Sequence, residues 1–244
     1  MFGRKKKNTS NTNKDARDAA KAAAEVQEQP TVVSQANSAD NDFGPFDGDT
    51  VNSQDFDFSD FARGFLKLGS MRVPVPHGGH VSVEMGPEGP QMIHLEVEGG
   101  RFTPVAFAAP RSGNLWEESV DETVAGMTKD GLEVHLEDGP WGPEICAVAG
   151  EGQMRVIGVN GPRWMFRVTL AGEKSRADEI ARIGREIIAR SFIYRGNDPI
   201  PAGQPLPVQM PPEMYEELQE QLQRMAAEQN GIPENNPQAP GENQ

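Results

Sequence analysis

The chain has 244 residues with 36% apolar side chains, one cysteine and a net charge of −14. That composition suits one compact domain with polar arms. It excludes an internal disulfide, and no apolar run approaches the ~18–20 residues that span a bilayer. The charge is unevenly spread: +3 over residues 1–30, −7 over 31–62, −4 over 63–200 and −6 beyond. A near-neutral centre inside an acidic surround argues against specific nucleic-acid binding, which needs many phosphate-neutralising cations.

The N-terminal MFGRKKK has the charge of a signal n-region, but polar residues from Asn8 follow where an apolar h-region belongs. A cytoplasmic location is therefore expected. Arg4, Lys5, Lys6 and Lys7 offer at most a weak, salt-sensitive contact with an anionic membrane surface. Residues 14–28 favour helix but carry almost no large apolar side chain, and 29–55 are rich in Asp, Asn, Ser and Gly. Residues 1–55 are thus expected to be a disordered arm, basic then acidic, ahead of a domain over 56–200. Phe56, Phe58, Phe61 and Phe65 sit among acids, and the simpler reading lays those rings on the domain edge.

Strand signals begin after Gly69. Met71 to Val75 is short and ended by prolines. In QMIHLEVE, Ile93, Leu95 and Val97 alternate with His94, Glu96 and Glu98, and RFTPVAFAAP continues as the next strand. A helix follows, with Asn114 and Glu117 at capping-box spacing, a stripe of Trp116, Val120, Val124 and Met127, and Gly131 as its stop. LEVHLED, PEICAVAG, QMRVIGVN and RWMFRVTL read as four strands. A second helix starts near Ser175 with the stripe Ile180, Ile183, Gly184, Ile187 and Ile188. The expected fold class is α+β: a largely antiparallel β-sheet of about six to eight strands, with two helices packed on one face.

After Ile200 the chain becomes a Pro-rich collar, then an amphipathic helix over 212–228 with Met214, Leu218, Leu222 and Met225 on one narrow stripe, then a disordered tail to residue 244. That spacing resembles an anchor set for a partner's groove, so the helix is expected to stand apart from the domain.

APRSGNLW (109–116), EDGPWGPE (137–144) and NGPRWMFR (160–167) together resemble an actinobacterial family of uncharacterised proteins, a domain of unknown function (DUF3710), over roughly residues 63–210. The resemblance implies no catalytic residue. The element order is also similar to the α+β sandwich of the photosystem II extrinsic subunit P (PsbP) and the Ran-release factor Mog, a likeness of topology alone.

Chemistry-bearing residues are sparse. His77 and His80 are spaced like half a metal site but lack a second pair, and His94 and His135 fall on the polar phases of their strands, so no metal and no cofactor is expected. Cys146 has no basic neighbour in sequence and reads as a buried structural thiol. Ser112 lacks the surroundings of a hydrolase nucleophile, and no phosphate loop is present. Enzymatic activity is not expected. Arg111, Trp141 and Arg163 lie at Gly-Pro corners or beside a helix start, and successive turns of an up-and-down sheet bring GPWG and NGPR to one end. The preferred expectation is a non-catalytic module that binds a partner protein; the alternative is a small-molecule or anion site, or a cryptic enzyme, at that Arg/Trp corner.

Overall fold

The computed structural model describes residues 43–86, 89–216 and 219–220. In chain order the elements are β1 (Phe46–Asp47), β2 (Ala62–Lys67), β3 (Met71–Pro76), β4 (His80–Gly86), β5 (Gly89–Val97), β6 (Gly100–Ala108), α1 (Leu115–Lys129), β7 (Glu133–Gly139), β8 (Gly142–Ala149), β9 (Gly152–Gly161), β10 (Trp164–Glu173), α2 (Ala177–Ala189) and β11 (Phe192–Ile193). Seven strands form an antiparallel sheet in the order β4-β5-β6-β10-β9-β8-β7, and four form a second sheet in the order β1-β11-β3-β2. The fold is α+β, as expected.

Alternation along β10 sets the layers. Trp164, Phe166, Val168 and Leu170 point to one face of the large sheet, where they join Phe102, Leu95 and Ile157 with Ile180, Ile187 and Ile188 of α2 and Val73 of the small sheet. We call this the inner face. Met165 points the opposite way and joins Val156, Ile145, Trp116 and Val120 in a second core under α1. The two helices therefore cover opposite faces, which corrects the expectation of one. Met165, Val156 and Ile145 are the reason: the second phase of β8–β10 is apolar at one end of the sheet, and a helix is needed there to remove it from water.

The α2 stripe packs as read. Gly184 lets the helix approach Leu170 so closely that a methyl group in its place would overlap that side chain. The expected capping box on α1 is absent. Asn114 lies in the left-handed region at φ 96° and its side chain makes no cap; instead the Asn160 carboxamide from β9 accepts from the Trp116 amide at 3.0 Å.

Both boundaries of the domain lie outside 56–200. Residues expected in the N-terminal arm hydrogen-bond along β11 and its approach: Gly44 N to Ala189 O at 2.9 Å, Phe46 N to Ser191 O at 2.8 Å and Gly48 N to Ile193 O at 2.8 Å. Phe46 then gathers Phe56, Phe58 and Phe192 into an aromatic cluster with centroids 4.5–6.4 Å from its own. Arg190 covers Phe61 at 4.7 Å. The acidic-aromatic segment is thus laid on the domain.

The Pro-rich collar is docked as well. β5 pairs only with Gly100–Phe102 of β6, and the collar takes up the other half of that strand: Gly203 N donates to Ala108 O and Leu206 N to Ala106 O, each at 2.8 Å. Pro205 sits between bonded positions, where the ladder needs no N–H. Gln209 N then donates to Leu68 O at 3.0 Å in the β2–β3 turn, so the collar links the two sheets. Residues 212–216 are helical, and Met214 packs against the main core, against the expectation of a helix apart from the domain. Leu218, Leu222 and Met225 lie outside the described residues.

Asp47 is buried on β1, and its carboxylate accepts from Trp164 Nε1 at 3.4 Å. Desolvation holds its pKa above the ordinary carboxylate value. The sign follows: a raised folded pKa contributes stability that is present at low pH and is lost as pH rises through that pKa. Asp47→Asn keeps the indole's acceptor without the charge, so its stability relative to the parent should improve as pH rises from 4 to 8. Melting temperatures across that range check this; an advantage that grows toward low pH would refute it.

Candidate functional site

Three connections share one end of the large sheet. Pro140 and Trp141 form a two-residue turn between Gly139 and Gly142, while Pro162 and Arg163 turn between Gly161 and Trp164. The chain leaving β6 arrives beside them, with Ala109 N donating to Arg163 O at 2.8 Å. The topology of the expected corner is therefore present.

Its side chains are mostly occupied. Trp141 is half-buried against the main core, its Nε1 donates to Gly44 O at 3.1 Å, and Phe43 stacks on it at 5.6 Å. Arg163 sits at φ 61° and donates to Gly196 O at 3.0 Å. Near the start of α1, Glu117 Oε2 accepts from Asn160 Nδ2 at 2.6 Å, putting a carboxylate where an anionic ligand would be drawn. Arg111 is exposed, without hydrogen bond or ion pair among the described residues. Trp141→Ala should cost about 1–2 kcal/mol, below the ~3–5 kcal/mol of an enclosed aromatic because the ring is only half-buried. Urea denaturation of Trp141→Ala beside Trp164→Ala checks it, and equal losses would place Trp141 wholly in the core.

A denser constellation lies on the inner face along β7, β8 and β9, further down the strands from the Trp141 turn. The turn at Pro140-Trp141 fixes the β7–β8 register, so Glu137 stands opposite Glu144 and His135 opposite Cys146. On β9, Arg155 stands opposite Cys146. All five side chains share one face because strand positions two apart do. Arg155 Nη1 donates to Glu144 Oε2 at 2.6 Å and its Nη2 to Glu137 Oε2 at 2.7 Å. From α2, Arg185 reaches down with Nε to Glu144 Oε1 at 2.9 Å and Nη2 to Oε2 at 2.7 Å. Glu144 is 1% exposed as a side chain and Arg155 6%, so their charges are carried by this network.

The electrostatics follow from the partners. Hydrogen bonds from Arg155 and His135 hold the Glu137 carboxyl below its ordinary pKa. Burial pushes the Cys146 thiol up to about 11, so it is protonated at neutral pH and a poor nucleophile. His135 Nε2 lies 3.1 Å from Glu137 Oε1. His135 is exposed and Cys146 buried, as the sequence implied; that they face each other, with Glu137 and Arg155 beside them, is not legible there. The missing step was the two-residue turn, whose length alone pairs 137 with 144 and 135 with 146.

The remaining histidines are spread apart. His77 Nε2 lies 3.0 Å from Ser59 O in the loop ahead of β2, while His80 begins β4 opposite Glu96. His94 is buried on β5 between Thr103 Oγ1 at 2.8 Å and Glu84 Oε2 at 3.2 Å, a polar chain across three strands. His80, Ser82, Glu96, Gly99, Gly100 and Arg101 line a wide, shallow recess nearby. Arg4, Lys5, Lys6 and Lys7 lie outside the described residues.

Among the described residues no helix is long and apolar enough to cross a membrane. No curated protein matches the chain. Among solved structures, the solution structure of the cyanobacterial PsbP protein CyanoP from Synechocystis sp. PCC 6803 is similar at 9% identity and a TM-score of 0.35, over 51% of this chain and 87% of that one. With residues 44–217 matching its model, the chain belongs to the family described as "Protein of unknown function (DUF3710)".

Proposed function

We propose that the chain is a non-catalytic cytoplasmic module that binds a partner protein through the outer face of β4, β5 and β6. The observation that carries this reading is the uneven cover of the large sheet. On the outer face α1 packs mainly over β7, β8 and β9 and reaches Phe107 of β6, while its main contacts do not extend to β4 and β5. That surface presents Ser82, Glu96 and Arg101 toward one end and Glu84 directly opposite Met92, which is 41% exposed, toward the other. Ser82 Oγ and Arg101 Nε both donate to Glu96 Oε1, at 2.9 and 3.2 Å, so the polar groups are held in place ahead of any encounter. Preorganised polar side chains on the same face as an exposed, adaptable methionine suit a protein surface. The absence of catalysis is supported by the protonated Cys146 thiol and by the binding of Glu137 and Glu144 to arginines.

A photo-crosslinking residue at Met92, in cells, should give discrete adducts that Arg101→Glu removes. The same residue at the exposed Glu122 on α1 serves as control. Adducts of equal pattern from both positions, or none from Met92, would sink the reading.

The alternative is an anion or small-molecule site around Arg111, favoured by that cation's lack of partners among the described residues. A saturating ligand at 100 times its Kd adds ~2.7 kcal/mol to stability. A thermal-shift panel of nucleotides, phosphosugars and organic acids separates the two readings: a hit lost in Arg111→Ala supports the site, and a flat panel supports the protein partner.

A further inference from the structure

We infer that His135, Glu137 and Cys146 form a binding site for a borderline-soft divalent cation of the zinc type, at the β7 edge of the large sheet. The three candidate ligand atoms all lie within 4.8 Å of one another. This proximity comes from the backbone. His135 and Glu137 are two apart on β7 and share its inner face, and Cys146 is the residue directly across from His135 on β8. Side chains paired directly across an antiparallel sheet have Cβ atoms about 4.5–5.5 Å apart, which lets both reach one ion between them.

The donor set selects the metal. One sulfur, one imidazole nitrogen and one carboxylate oxygen suit Zn2+ and its relatives rather than Mg2+ or Ca2+, which take oxygen alone. Three protein ligands leave a fourth tetrahedral position for water. The carboxylate is already oriented as a ligand requires: Arg155 Nη2 holds Glu137 Oε2 at 2.7 Å, while Oε1 faces the imidazole at 3.1 Å. Hydrogen bonds of this kind to the outer oxygen are what fix ligating carboxylates in metal sites. On binding, the metal–sulfur bond replaces S–H and the proton goes to solvent. The guanidinium does not shut the cation out, because Arg155 and Arg185 are balanced by Glu137 and Glu144. Access is also open, since the His135 and Glu137 side chains are 57% and 44% exposed.

Cobalt(II) added to the full chain tests this. The chain has a single cysteine, so a near-ultraviolet thiolate-to-cobalt charge-transfer band can arise only from Cys146. The expected result is a band that saturates at one equivalent, is displaced by Zn2+ and is absent in Cys146→Ser. His135→Ala removes an exposed ring, so the fold should survive, and affinity should drop about tenfold or more, at least the change typical of losing an outer-shell partner. No band in the parent protein overturns the proposal. So does a band whose affinity is the same in His135→Ala, because the thiolate would then bind metal without this site.

Discussion

Glu144→Ala should destabilise the protein by about 3–5 kcal/mol, the range for removing one partner of a buried ion pair. The carboxylate takes three charge-assisted hydrogen bonds, one from Arg155 and two from Arg185, at 2.6–2.9 Å. Without it, Arg155 stays buried with only the half-exposed Glu137 as counter-charge, and α2 loses its tie to β8. Arg185 suffers less, being 31% exposed, so Arg185→Ala should cost a smaller share. Glu144→Gln keeps one acceptor oxygen and should fall between parent and alanine variant. The network is not thereby the best filling for this space. Replacing Glu144 and Arg155 together by leucine and methionine should recover most of the loss, since an apolar substitute leaves no buried charge without a partner. Urea denaturation of the four variants measures each step, and a Glu144→Ala midpoint equal to the parent's would refute the argument.

Local pattern revealed the parts of this fold that local forces decide. The alternation in β5 and β10, the isoleucine stripe of α2 and the order of β7 to β10 depend on side-chain period alone, and each stands where the periodicity put it. The elements that were missed depend on distant partners. Phe46 and Asp47 form a strand only because Phe192 and Ile193 lie beside them, and nothing in the GPFDGD stretch says so. Phe56 and Phe58, set among aspartates, lie on the domain edge as expected, but their partner rings Phe46 and Phe192 could not be named from the sequence. The collar was legible as extended chain but not as a strand, because its prolines argue against pairing unless the partner is known to need alternate N–H groups only. The same holds for the polar constellation. Its β7 and β8 members follow from the turn at Trp141, whereas Arg155 and Arg185 come from β9 and α2, and their convergence on Glu144 is a tertiary fact.

Trp116→Ala is the second substitution expected to cost several kcal/mol, ~3–5 for an enclosed aromatic, and its mechanism can be separated from general loss of core. Trp116 is 0% exposed, and its Nε1 donates to Pro143 O at 2.8 Å. The indole packs against β9 at Gly158, where an added Cβ would fall inside the ring's van der Waals surface. Glycine is needed there for space, since its φ is unexceptional. Gly158→Ala should therefore destabilise by forcing the indole off the sheet, at the ~1–3 kcal/mol or more that overpacking costs. The two lesions are complementary: one removes the ring and the other fills the space beneath it. Trp116→Ala combined with Gly158→Val puts a branched side chain into part of the vacated volume, so the double variant should be more stable than the sum of the two single losses predicts, by the ~0.5–3 kcal/mol seen for residues in contact. Chemical denaturation of the four-membered cycle reads that coupling directly. Strict additivity would mean that the ring does not rest on Gly158 in solution, and α1 would then be held to the sheet by Val120 and its neighbours alone.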